Sequence, residues 1–134
     1  MERLIVDTGV LIAIERGQTI PPETLPDDAD IAIAAITASE LLVGVELADG
    51  TRRAARKASV DAILATFDVL PFDVEVARHH ATLLAHTRRS GTPRGAHDLQ
   101  VAATAVARGR LLLTTDERAF DGLPALQHRI VQRA

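Results

Sequence analysis

Four carboxylates, Asp7, Glu40, Asp98 and Asp116, occupy positions from which side chains can converge. Leu4-Ile-Val reads as a buried strand ending at Asp7, and Leu111-Leu-Leu-Thr-Thr reads as another ending just before Asp116. The apolar run from Ile31 to Ile36 feeds a helix whose first turn holds Glu40, and Asp98 opens a further apolar helix. Capping explains any one of these acids. Thr37-Ala-Ser-Glu40 fits a capping box, with Thr37 accepting from the Glu40 N–H and Glu40 reaching back to the Thr37 N–H. Capping does not require four of them.

Like charges a few ångströms apart ionise together only when something offsets their repulsion. Helix N-termini offset part of it, at about 0.3–1 kcal/mol each where exposed. A hard divalent cation held by carboxylate and water oxygens, Mg²⁺ or Mn²⁺, offsets the rest. Beside an open cleft such ions bind a phosphodiester, activate water and stabilise the leaving oxygen. The expected chemistry is phosphoryl hydrolysis.

The elements that must position these acids follow in order. After the first strand, Val10 to Arg16 reads as a helix and Gln18 to Asp30 as a Pro-rich acidic loop. Ile31 to Ala35 is the second strand, Thr37 to Ala48 its helix, and Asp49-Gly50 a stop signal. Thr51 to Phe67 reads as a helix capped by Thr51, with Ala55, Ala58, Ile63 and Leu64 on its packed face. Val69-Leu70, ahead of a proline, is a short strand near an edge. Asp73 to Arg89 carries a helical stripe of Val76, Leu83 and Leu84, and Ser90 to Ala96 is a loop. His97 to Arg108 is an Ala/Val-rich helix, apolar on most sides and so deeply buried. Arg110 to Thr114 is a strand, Asp116 to Asp121 a short helix and Ile130-Val131 a last strand. Strands alternating with helices predict a three-layer α/β/α sandwich around a parallel sheet of about five strands. Sites in such sheets form beyond the carboxyl ends of the strands, where Asp7, Glu40 and Asp116 fall.

Composition narrows the class. The 134 residues are expected to form a single domain burying about two-thirds of its unfolded surface, with an aliphatic core. Without cysteine there is no disulfide, thiolate metal site or cysteine nucleophile. Asp7 interrupts the one N-terminal run resembling a signal segment, and no apolar stretch approaches the ~20 residues of a membrane span. A cytoplasmic protein with no membrane association is expected. The net charge is −3, yet setting the four acids aside leaves 15 basic residues against 14 of the 18 acidic ones. The acidity is expected to be concentrated in one place rather than spread over the surface.

Four segments carry a family resemblance. Asp7-Thr-Gly-Val-Leu-Ile, Thr-Ala-Ser-Glu40-Leu-Leu-Val-Gly, His-Asp98-Leu-Gln-Val-Ala-Ala-Thr-Ala and Leu-Thr-Thr-Asp116-Glu-Arg-Ala-Phe120 resemble the successive motifs of PIN-domain ribonucleases, above all the VapC-type toxins of bacterial toxin–antitoxin pairs. The resemblance runs from about residue 3 to 132. It implies Mg²⁺- or Mn²⁺-dependent cleavage of RNA, homodimers, and inhibition by a cognate antitoxin. It also implies that Asp7, Glu40, Asp98 and Asp116 are the catalytic, metal-holding acids, with Thr8 and Thr114 as supporting hydroxyls. Where family members often carry an apolar-Pro pair before the third acid, this chain has Pro93-Arg-Gly-Ala-His97.

Other residues invite other readings. His79, His80 and His86 share a helix without the i, i+4 spacing of a metal pair and read as solvated or structural, while His97 precedes Asp98 and is a phosphate-contact candidate. Arg52, Arg53, Arg56 and Lys57 read first as a solvated helix face, and Arg88, Arg89 and Arg94 as candidates for the RNA backbone. Glu46 and Asp121 are left outside the acid set. Without Trp or Tyr, base-stacking platforms are scarce. The alternatives are a receiver-like phosphoacceptor domain, a non-catalytic partner-binding module, and a His-based, metal-independent nuclease. The receiver lacks its adjacent acids and its late lysine here, since Lys57 is the one lysine.

Overall fold

The structure, a computed structural model, describes residues 1–132. Strand β1 (Arg3–Val6) is central, with β2 (Asp30–Ala34) and then β3 (Asp68–Leu70) on one side. On the other side stand β4 (Leu111–Thr114) and then β5 (His128–Ile130). All four pairings are parallel, and Leu4 stands opposite both Ile31 and Leu111. This is the expected sheet, with β3 at its edge as the proline implied.

The period of two along the strands divides the core. Ile5, Ala34 and Leu112 pack against Val76 and Leu83 of α4 (Val74–Ser90) and Leu99 and Ala102 of α5 (Ala96–Arg108). Leu4, Val6, Ile33 and Leu113 point the other way, against Val10 and Leu11 of α1 (Thr8–Glu15) and Ala38 of α2 (Ala35–Leu47). Ile63 and Leu64 of α3 (Gly50–Thr66) reach the same side. Burial on both faces explains why β1 and β4 read as unbroken apolar runs.

Several sequence expectations are corrected. The Thr37–Glu40 capping box does not form: α2 starts directly at the end of β2, its N-cap is Ala34, and no side chain caps it. Docking of the first turn against the sheet stands in for the cap. Thr37 is consequently fully buried, its hydroxyl without a hydrogen-bond partner among the described residues. Likewise α3 starts at Gly50 after an uncapping Asp49, not behind Thr51. Its packed residues are Val60, Ile63 and Leu64, while Ala55 and Ala58 are exposed because only the second half of the helix reaches the core. Helix α1 begins at Thr8 rather than Val10, and β5 two residues before Ile130.

At the amino edge of the sheet, Arg110 is buried and its Nη1 donates to the carbonyls of Leu4 and Asp30, both at 3.0 Å, and to Asp30 Oδ1 at 3.1 Å. One guanidinium thus ties β4, β1 and β2 together. The carboxyl edge is left free for other work.

Candidate active site

Asp7 leaves β1 with its main chain held by β4, its N–H donating to the Leu113 carbonyl at 2.9 Å. It is the N-cap of α1, with Oδ1 accepting from the Thr8 N–H at 2.9 Å. Oδ2 accepts from the Thr114 hydroxyl at 3.0 Å, and Thr114 Oγ1 accepts in turn from the Asp116 N–H at 3.1 Å. Thr114 is fully buried, so one hydroxyl bridges the ends of two neighbouring strands and orients an acid on each. Asp116 caps α6 (Glu117–Phe120), accepting from the Ala119 N–H at 3.2 Å. For these two acids, capping and clustering are the same geometry.

Glu40 arrives differently. It lies in the second turn of α2, clear of the helix start, where Oε1 accepts from the Thr8 hydroxyl at 3.5 Å. Its Oε2 lies 3.5 Å from His97 Nδ1 on α5. Asp98 sits in the first turn of α5, whose N-cap is Gly95. The close fit there is specific: a Cβ on Gly95 would stand 2.8 Å from Asp98 Oδ2.

The electrostatics show that all four acids share one neighbourhood. Burial pushes the Asp98 carboxyl above its ordinary value, and the charges of Asp7, Asp116 and Glu40 push it further, against a smaller pull from His97. Burial likewise raises Asp7, with Asp116 adding to the rise, while the Thr114 and Thr8 hydrogen bonds oppose it. Among the described residues no three His, Asp or Glu side chains are already gathered closely enough to hold a metal ion. The carboxylates are neighbours and not a closed shell. The donor set still fits a hard cation: it is all oxygen, backed by two threonine hydroxyls, and its mutual repulsion is what a bound dication removes.

The remaining candidates sort by what they touch. Arg94 is not a free RNA contact: Nη1 donates to the carbonyls of Arg118 at 3.3 Å and Ala119 at 3.0 Å, and Nη2 to that of Asp121 at 2.5 Å. It latches the loop before Asp98 onto the end of the helix that Asp116 starts. Arg88 and Arg89 are exposed in the last turn of α4. His80 packs edge-on against Phe72, with ring centroids 5.6 Å apart, as a structural histidine would. Glu46 pairs with Arg53 at 3.3 Å on the surface, away from the acid set. Arg16, which sequence reasoning passed over, and Arg56, which it read as part of a solvated helix face, line a cavity with Glu40 and Thr8. The visible signal was the i, i+4 spacing of Arg52 and Arg56, which puts them on a different helix face from Arg53 and Lys57.

The clustered acids stand at the carboxyl edge of a parallel sheet, where the winding turns back between β1 and β4, and ligands of open α/β sheets bind at that place. The strand order also excludes the receiver alternative, whose order is 2-1-3-4-5 against β3-β2-β1-β4-β5 here. Lys57, the only lysine that could have served it, pairs with Asp61 at 2.6 Å on exposed α3. Comparison with known proteins agrees. Residues 4–126 match the PIN domain. The chain is 31% identical over 125 residues to Ribonuclease VapC of Rickettsia bellii, covering 92% of both. It is 35% identical over 126 residues to Ribonuclease VapC5 of Mycobacterium tuberculosis, covering 92% of this chain and 91% of that one. The crystal structure of VapBC-5 from the same organism, a member of the VapBC family of toxin–antitoxin systems, superposes with a TM-score of 0.81 at 31% identity, over 98% of this chain and 100% of that one. The chain belongs to the PIN-domain family, in its VapC ribonuclease branch.

Proposed function

We propose that the protein is a toxin endoribonuclease that hydrolyses RNA phosphodiesters with Mg²⁺ or Mn²⁺ and is neutralised by a cognate antitoxin. The observation that carries this reading is the meeting of acids at the carboxyl edge of the sheet, where Thr114 joins Asp7 to Asp116 and Thr8 reaches Glu40, on a fold whose relatives are named ribonucleases. Asp7, Glu40, Asp98 and Asp116 would hold the metal, which when bound supplies charge neutralisation and an activated water. The chain's own residues set the stage. Thr114 and the Thr8 N–H fix the two oxygens of Asp7, the α6 cap fixes Asp116, and Thr8 with His97 steadies Glu40. RNA enters along the carboxyl edge of the sheet.

Two partners follow. Ile12 and Ile14 of α1 and Leu42, Val43 and Leu47 of α2 are exposed, Leu47 by 83%, which suits a seat for a second copy or for antitoxin. An antitoxin segment bearing Arg or Lys would enter the acid cluster in competition with Mg²⁺, because guanidinium pairs bidentately with carboxylates. Among the described residues no helix is long and apolar enough to cross a membrane.

The test is cleavage of single-stranded RNA by the purified protein with Mg²⁺ or Mn²⁺ and its arrest by EDTA. In-line attack by water leaves a 5′-phosphate and a 3′-hydroxyl. Cleavage that persists in chelator, or a 2′,3′-cyclic phosphate product, would overturn the metal mechanism in favour of histidine chemistry.

A further inference from the structure

Resting on the reading of RNA as substrate, we propose that Arg16 and Arg56 form a phosphate subsite for the RNA strand flanking the scissile bond, in the cavity that opens beside Glu40. That cavity, of about 310 Å³, has Thr8 and Glu40 at its acidic end and Ile12 and Val60 in its walls, and the two guanidiniums line it. A second hollow, lined by Arg52, Arg56, Gly44 and one acid, Asp49, shares the Arg56 side chain and extends the groove along α3.

The cations of α3 fall into two sets. Arg53 and Lys57 lie on one face and are both engaged, with Glu46 at 3.3 Å and Asp61 at 2.6 Å. Arg52 and Arg56 lie on the face that lines the groove, and among the described residues neither they nor Arg16 has a carboxylate within ion-pair distance. Glu15 and Glu40 line the same cavity as Arg16 and Arg56, so the lack of pairing is not for want of acids. Unpaired guanidiniums in a concave site are poised for an external anion, and their planar fork matches phosphate.

Gly44 supports this placement. It lies inside α2, where glycine is the least favoured residue short of proline, and a Cβ there would stand 3.1 Å from Arg56 Nη1 and 3.5 Å from its Cδ. The glycine leaves room for the Arg56 side chain to lie against α2, in the wall of the cavity that Glu40 also lines. Electrostatics at the scale of the whole chain demand such a device. With a net charge of −3 and an acid cluster at the reacting centre, the protein repels RNA unless cations are concentrated beside that centre.

The test measures binding and is independent of cleavage. Anisotropy of a fluorescein-labelled single-stranded oligouridylate is titrated in EDTA across a KCl series, with wild-type chain and again in an Asp98→Asn background that removes one repelling charge. Arg16→Gln and Arg56→Gln should each weaken binding several-fold and reduce the slope of log K against log salt by about 0.7, the value for one lost single-strand phosphate contact. Arg56→Lys should retain the slope. Arg53→Gln and Lys57→Gln, which remove the same charge from the paired face, should leave slope and affinity near wild type. Equal losses from all four neutralised positions would overturn the subsite, since net charge alone would explain them. So would an absence of binding in both backgrounds, or an oligoglutamate peptide whose binding depends on Arg16 and Arg56 while that of the oligouridylate does not. A wild-type chain that fails to cleave RNA but shows the slope changes would sink the ribonuclease reading and leave the subsite standing.

Discussion

Replacing Thr114 by Val tests whether the two sides of the acid cluster are joined by one hydroxyl. The substitution keeps the shape of a fully buried side chain and deletes two hydrogen bonds, the donor to Asp7 Oδ2 and the acceptor for the Asp116 N–H. A hydrogen bond to a charged group contributes about 1.5–3 kcal/mol and a neutral one about 1 kcal/mol. Burial already disfavours the Asp7 charge, which lowers the first figure, so the net cost at neutral pH is about 2–3 kcal/mol. For a chain of this size that is a fall in Tm of roughly 10 °C. The cost should also depend on pH. Asp7 has a folded-state value above its unfolded one, so its contribution is most favourable below the unfolded value and is lost as pH rises through the folded value. Loss of the Thr114 donor raises the folded value further, because that hydrogen bond is the larger of the two that hold it down. The Tm deficit of Thr114→Val should therefore be greatest at neutral pH in metal-free buffer and shrink as pH falls towards the ordinary carboxylate range. Calorimetry of both proteins across that range is the assay. A variant melting within about 2 °C of wild type, or a deficit that grows on acidification, would refute the bridge.

Three further outcomes are expected. Asp98→Asn should raise Tm in metal-free buffer at neutral pH, because it removes a carboxylate disfavoured by burial and by three acids, and should abolish cleavage; a lower Tm would contradict the repulsion. Gly95→Ala is compatible with its backbone, at φ −58° and ψ 141°, yet its Cβ would displace Asp98 Oδ2. Cleavage should fall by about tenfold or more while the circular dichroism spectrum is unchanged, since misplacement by an ångström far outweighs the backbone effect. Arg110→Met should destabilise by about 2–4 kcal/mol in urea titration, because it leaves two carbonyls and Asp30 without their donor at the amino edge of the sheet.

The parallel sandwich was legible because its signals are local and repeated: aliphatic runs of strand length, each followed by a helical stripe. Asp7, Asp98 and Asp116 were legible for the same reason, since strand ends and helix starts are where Asp signals itself, whereas Glu40 lies a turn further into α2 than its spacing implied. What stayed hidden depends on tertiary contact. The Thr37–Glu40 spacing matches a capping box in every local respect, but docking of α2 against the sheet starts the helix at Ala35 and leaves Thr37 in the core. Arg94 reads as a surface cation beside a loop, and only the fold brings three carbonyls, 24 to 27 residues away in sequence, under its guanidinium. Arg56 was grouped with its neighbours because a run of charge does not reveal which member finds an acid.

The pairing of β1 with β4 also sets when the site exists. Asp7 and Glu40 belong to the first third of the chain, whereas Asp98 and Asp116 come from the last, and the Thr114–Asp7 bond closes a separation of 107 residues. A ribosome extrudes the early acids with nothing opposite them. The central strand lacks one of its two neighbours until β4 emerges. On the proposed activity, a nascent chain that has not yet exposed β4 carries only half of the cutting apparatus, and the topology of the sheet delays its completion until that strand is made.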